Sequence, residues 1–176
     1  GLTGVAKWFG AVVAPNNGKI YCIPHTANEV LIIDPETNTA DRTTIVGLAG
    51  ANKWATAVVS PYNGKIYCAP WGASEMLIID PFTDTVDTTT ITGFAGNAQF
   101  AGATVSPNGK LYFFARNAAE ILIVDSVTDT ADVTTIVGPG LGTLSKFLGS
   151  ALALNKKIYG AADNASYVGI IDTVLD

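Results

Sequence analysis

The 176 residues weigh 18.2 kDa; 48% are hydrophobic and only 14% are charged, a balance that suits one folded domain or a few small repeats and excludes a disordered linker. The net charge of -5 and the pI near 4.7 argue against a nucleic-acid partner. One histidine and two cysteines leave little material for His-dependent catalysis or a Cys-rich metal site, and no apolar run is long enough to span a membrane as a helix.

Read from Lys7, the chain runs KWFGAVVAPNNGKIYCIPHTANEVLIIDPETNTADRTTIVGLAG. The elements expected in order are a strand in GAVVAP, a turn at Asn17-Gly18, a strand KIYCI, a loop around His25, an apolar strand VLIID, and a Thr-rich fourth strand TTIV ending at Gly47. The pattern restarts at Lys53, with its turn at Asn63-Gly64 and its fourth strand TTIT ending at Gly93. It restarts again near Gln99, with its turn at Asn108-Gly109 and its fourth strand ending at Gly138, and once more near Lys146. Tyr21, Tyr67, Tyr112 and Tyr159 mark one position of the repeat; Asp34, Asp80, Asp125 and Asp172 mark another; Trp8, Trp54, Phe100 and Phe147 mark a third. Nothing reads as a helix, because β-branched residues abound and turn residues return at short intervals.

The third strand is apolar on both sides, so both faces of its sheet must be covered, while the polar fourth strand suits an outer edge. Four-stranded units of about 46 residues, covered on both faces, predict an all-β fold: a β-propeller of four antiparallel blades, the last lacking its outer strand. The expected blades are 5–49, 51–95, 97–141 and 143–176 in a single domain. A parallel β-solenoid has shorter coils, and a β-sandwich has no reason to repeat in sequence. Gly138-Pro139-Gly140-Leu141-Gly142 reads as a longer linker between the third and fourth copies, not a dinucleotide fingerprint.

The segment Ser60-Pro61-Tyr62-Asn63-Gly64-Lys65-Ile66-Tyr67, followed by Ile79-Asp80-Pro81-Phe82-Thr83-Asp84-Thr85, resembles the YVTN-type repeats of the lactonase-like β-propeller superfamily. The resemblance recurs in every copy. It implies blade architecture, usually in rings of seven or eight blades, and as an alternative function a sugar- or lactone-processing enzyme with a channel metal site. No residue here matches that metal site closely enough to be assigned to it.

The fourth copy stops after its third strand, which leaves Val168, Ile170 and Asp172 as a candidate assembly edge. Self-association is the expected partnership, as a dimer sharing an eight-blade ring or as a head-to-tail polymer; the alternative is a four-blade ring with a frayed last blade. A first residue Gly1 in place of Met fits a processed chain or an excerpt.

Function is expected where the copies differ. Four residues after each repeat tyrosine stand His25, Trp71, Arg116 and Asp163. This loop should open on the same face as Lys7, Lys53, Gln99 and Lys146, the ligand mouth of a propeller. An aromatic, a guanidinium, a carboxylate and an imidazole suit a glycan or a protein loop; drift in an exposed loop is the alternative. The repeated Asp34, Asp80, Asp125 and Asp172 are expected to accept turn amides; the clusters Asp34 and Asp41, Asp80, Asp84 and Asp87, and Asp125, Asp129 and Asp132 offer calcium ligands as the lesser reading. Glu29, Glu75 and Glu120, replaced by Tyr167 in the fourth copy, are expected to partner the repeated lysines. Cys22 and Cys68 occupy equivalent positions, so they read as buried free thiols. Asn164-Ala165-Ser166 is a glycosylation sequon. No HExxH, GxSxG, CxxC or phosphate-loop motif occurs, and no cofactor is expected. These features together describe a non-enzymatic module for structural assembly or for protein or glycan binding, outside the cell or on its surface.

Overall fold

A computed structural model of the chain describes residues 3–137 and 145–173. The Gly138–Gly142 linker, the Gly138 end of the third TTIV run and the chain beyond Thr173 lie outside the described residues.

Each copy folds into a meander. The first holds β1 (Trp8–Val13), β2 (Ile20–Pro24), β3 (Leu31–Asp34) and β4 (Thr39–Asp41). The second holds β5 (Trp54–Val59), β6 (Ile66–Pro70), β7 (Leu77–Asp80) and β8 (Thr85–Asp87). The third holds β9 (Phe100–Val105), β10 (Leu111–Ala115), β11 (Leu122–Asp125) and β12 (Thr130–Asp132), and the fourth β13 (Phe147–Leu152), β14 (Lys157–Ala162) and β15 (Gly169–Asp172). Three sheets have four antiparallel strands in sequential order and the last has three, with no helix among the described residues.

The first hairpin closes around a loop longer than an Asn-Gly pair. Ala14 N donates to Lys19 O at 2.9 Å, and only Gly18 adopts a positive φ (71°). Asn17 contributes through its side chain: Oδ1 accepts from Lys19 N at 3.0 Å, and Nδ2 donates to Pro81 O of the next copy at 2.9 Å.

The fourth strand differs from the expectation. It is Thr39–Asp41, not TTIV, and the same holds for Thr85–Asp87 and Thr130–Asp132. Asp34 accepts the amides of Glu36 and Thr37, and Asn38 takes a positive φ of 54°, so the chain reverses at once onto β3. Asp41 then accepts the Thr43 amide at 2.7 Å and the hydroxyls of Thr43 and Thr44. That bonding turns the TTIV segment out of the sheet, leaving only a Glu29–Val46 bridge. The Thr-Thr pairs are turn formers here, and β-propensity misplaces them.

The sheets stack face to face, with β1, β5, β9 and β13 lying side by side in a row. Three cores fill the gaps between sheets. Tyr21, Ile23 and Ile32 of the first sheet meet Ile66, Cys68 and Ile79 of the second. Tyr67, Ala69 and Ile78 meet Leu111, Phe113 and Val124, and Tyr112, Phe114 and Ile123 meet Phe147, Ile158 and Ile171. Facing sizes compensate: Ala69 shares its core with Phe113, whereas Phe114 lies over Gly160. Cys22 and Cys68 are free and buried, as expected, and burial pushes both thiols up.

Candidate functional site

One backbone hydrogen-bond series positions all four expected mouth residues. The amides of His25, Trp71, Arg116 and Asp163 donate to the carbonyls of Lys7, Lys53, Gln99 and Lys146, at 2.7–2.8 Å. The carbonyls of His25, Trp71 and Arg116 accept in turn from the amides of Lys53, Gln99 and Lys146 of the next blade, at 2.9–3.0 Å. The loop position and the strand-entering position therefore share one face, as expected, and the rim crosses every blade boundary without a break. Buried Lys53 strengthens the series, its Nζ donating to His25 O, Ala27 O and Gly50 O at 2.8–3.1 Å. Carbonyl oxygens thus hold Lys53, whereas the sequence expects the repeated lysines to partner Glu29, Glu75 and Glu120. Lys7 does reach Glu29, at 3.7 Å, and Arg42 holds the same carboxylate at 2.5 Å.

The side chains form a contact row. His25 meets Trp71 edge-on with ring centroids 5.8 Å apart; the Arg116 guanidinium lies 4.7 Å from the Trp71 ring centroid; Arg116 and Asp163 approach to 3.9 Å. Two roles differ from expectation. His25 is 5% exposed and its Nδ1 lies 3.1 Å from Trp54 O, so it supports the rim from beneath. Trp71 is not a bare platform, because Phe9 stacks on it at 6.1 Å in addition to the Arg116 contact.

Phe9 is the residue that sequence reading missed. Each inner strand is bulged just after its first residue, at Phe9-Gly10, Ala55, Ala101 and Leu148. These residues surround a cavity of about 530 Å³ beside Trp71 and Arg116. The bulges aim them into the mouth, and the copies differ here (Phe, Ala, Ala, Leu) as they do at the loop position. That divergence was the available signal. The cavity lining is mostly apolar, with Thr56 and Arg116 as its polar members. Arg116 Nε is buried with no hydrogen-bond acceptor among the described residues.

The other candidates lie elsewhere. Asn164 and Ser166 are exposed beside the mouth. Val168 and Ile170 are exposed on the outer blade, and Asp172 pairs with Lys157 at 3.1 Å. Among the described residues no cluster of His, Cys, Asp or Glu is arranged to hold a metal. The oxygens of Asp41, Asp87 and Asp132 are occupied by threonine hydroxyls and amides.

Face-packed meander sheets whose inner strands line a shared mouth define a β-propeller, here an arc of four blades. Solved structures with the same fold include a catalytically inactive histidine-to-alanine variant of virginiamycin B lyase from Staphylococcus aureus with quinupristin (TM-score 0.72, 16% identity, 99% of this chain and 56% of that one). An auxiliary nutrient binding protein from Bacteroides thetaiotaomicron is similar over 96% of this chain and 39% of its own, at 17% identity and TM-score 0.64. An extracellular domain from the same organism aligns over 96% and 22%, at 15% identity and TM-score 0.67. The chain spans about half or less of these structures, and at such identities the likeness is one of fold. No protein-family model matches the sequence, and no curated protein matches it either.

Proposed function

We propose that this chain is a non-enzymatic propeller module, working outside the cell, that binds a glycan or a protein loop at the Arg116 rim and associates with a second copy of itself. The observation that carries the binding reading is Arg116: a partly exposed guanidinium between Trp71 and Asp163 that lines a mostly apolar cavity edged by exposed Phe9. A ligand oxygen would accept from the solvent-accessible part of the Arg116 guanidinium while a sugar ring or apolar side chain covers Phe9 and Leu148. Similarity to a nutrient binding protein and to extracellular domains supports both the binding role and the location.

Titration of the chain with a panel of oligosaccharides and loop peptides, followed by tryptophan fluorescence, tests the reading. A saturable ligand should bind, and Arg116→Ala and Phe9→Ala should each weaken it about tenfold or more. A panel without binders, or a ligand indifferent to both changes, would overturn the binding role.

The second reading, a sugar- or lactone-processing enzyme, is favoured by similarity to a lyase. Against it stands His25, the only histidine, buried and bonded to backbone. A tightly held divalent ion in the purified protein, with turnover that the ion controls, would favour the enzyme.

A further inference from the structure

The rim position just before each inner strand is a lysine at Lys7, Lys53 and Lys146, and a glutamine at Gln99. Lys53 and Lys146 are 5% and 0% exposed, and their ammonium groups rest on carbonyls of the preceding blade. Lys53 Nζ donates to His25 O at 3.1 Å and to Ala27 O and Gly50 O at 2.8 Å. Lys146 Nζ donates to Ala118 O, the counterpart of Ala27 O, at 2.8 Å. A carboxylate of the preceding blade completes each setting. Burial pushes both ammonium groups down, and Glu29 and Glu120 respectively pull them back up.

Gln99 stands in the same frame. Its backbone amide donates to Trp71 O at 3.0 Å, as that of Lys53 donates to His25 O. The segments leading in share one conformation: Gly50 and Gly96 have φ of 117° and 126°, Asn52 and Ala98 φ of 53° and 54°. Glu75 keeps the place of Glu29 and Glu120, in a bridge to Thr92 that repeats Glu29–Val46 and Glu120–Val137. Trp71 O, Ala73 O and Gly96 O are therefore placed as His25 O, Ala27 O and Gly50 O are. Only the side chain differs. Glutamine ends one bond short of lysine and carries no charge. Gln99 is 4% exposed, and its Nε2 reaches Ala73 O at 3.3 Å. Among the described residues, Gly96 O accepts from no donor and no cation pairs with Glu75.

We propose that this position binds a monovalent cation of ammonium size, such as potassium, on Trp71 O, Ala73 O and Gly96 O, with Glu75 balancing its charge. Oxygens set 2.8–3.1 Å from one point, as around Lys53 Nζ, suit an ion of that size. Calcium and magnesium draw their oxygens in to about 2.0–2.6 Å. A turn of the Gln99 amide about its last bond exchanges Nε2 for Oε1 and supplies a further oxygen. A cavity of about 370 Å³ beside Gln99, lined also by exposed Gly96 and Asn97, gives the ion a path from solvent. The ion ties the segment before blade 3 to the Trp71 loop, as Lys53 ties the segment before blade 2 to the His25 loop. The proposal goes beyond the binding role of the mouth and stands without it.

Thermal unfolding of the 176-residue chain in potassium, ammonium, calcium and choline chloride at equal ionic strength tests it. Potassium and ammonium should each raise the melting temperature saturably, by about 3 °C or more over choline at about tenfold above the dissociation constant. Gln99→Lys carries its own ammonium, so it should melt alike in potassium and choline. Glu75→Gln changes a partly exposed side chain and should raise the potassium midpoint about threefold or more. Equal melting of the wild-type chain in potassium and choline would overturn the proposal. So would an undiminished potassium effect in Gln99→Lys, or a stabilisation by calcium alone that Gln99→Lys abolishes. Where circular dichroism shows that Gln99→Lys does not fold, the Glu75→Gln titration decides, and an unchanged potassium midpoint would overturn it.

Discussion

The Tyr21 hydroxyl of the first blade donates to the Asp84 carboxylate of the second at 2.7 Å, across the apolar gap between the two sheets. Tyr67 makes the same bond to Asp129 one blade on. Burial, then the neighbouring carboxylate, pushes the Tyr21 phenol up to about 12, so the hydroxyl stays a donor at any physiological pH. The tyrosine ring fills the core while its hydroxyl fixes how far one blade is rotated against the next.

Tyr67→Phe keeps the ring and removes the bond, leaving Asp129 and Asn63 without their shared partner. The expected loss is about 1.5–3 kcal/mol of folding stability, the range for a hydrogen bond to a charged group. Urea unfolding of Tyr67→Phe, Asp129→Ala and the double variant reads the coupling directly. Strict additivity would mean that the bond contributes nothing.

Size matching between blades gives a second prediction. A Cβ on Gly160 would sit 2.4 Å from Phe114 Cε1, and the ring is packed edge-on against Phe147 with centroids 5.5 Å apart. Gly160→Ala should destabilise the chain by about 1–3 kcal/mol through overpacking. Phe114→Leu should be less harmful in that background than alone. If Gly160→Ala melts at the wild-type temperature, the third core is looser than described.

The aspartates that end the fourth strands should make stability acid-sensitive. Hydrogen bonds from Thr44, Thr90 and Thr135, then from the preceding threonines, bring Asp41, Asp87 and Asp132 from the usual 3.8 down to about 2. A lowered folded-state value means that the unfolded chain takes up protons first, so this stability is complete above about pH 4 and is lost as pH falls towards 2. Asp→Asn at all three positions should lower stability at neutral pH and flatten its decline through that window. An unchanged slope would show that other carboxylates carry the acid transition.

Most of the fold was legible because a repeat states its own boundaries: Tyr21, Trp8 and Asp34 recur in register, and each marks a strand. The error at the fourth strand has a local cause. Thr43, Thr44 and Ile45 have strand propensity, but Asp41 offers its carboxylate two and three residues ahead, and side-chain bonding outcompetes the ladder. At the mouth, spacing alone placed His25, Trp71, Arg116 and Asp163 together, because equivalent positions in stacked blades must align. Spacing does not tell which of them faces outwards. His25 lost its place to Phe9, whose direction depends on a bulge that leaves no mark in β-propensity.

The fourth hairpin carries a replaceable defect. Lys156 holds a φ of 66° at the position where Gly18, Gly64 and Gly109 hold 70–82°. A side chain in this left-handed region costs about 1–2 kcal/mol, partly offset because glycine has more freedom to lose on folding. Lys156→Gly should therefore stabilise the chain by about 0.5–1 kcal/mol. The reverse exchange, Gly64→Lys, should cost a similar amount, since nothing lies within 4 Å of a Cβ built there and backbone conformation alone is at stake. Paired denaturation curves decide it: opposite signs at the two positions follow from the backbone, whereas a loss at both would mean that Lys156 makes a stabilising contact of its own.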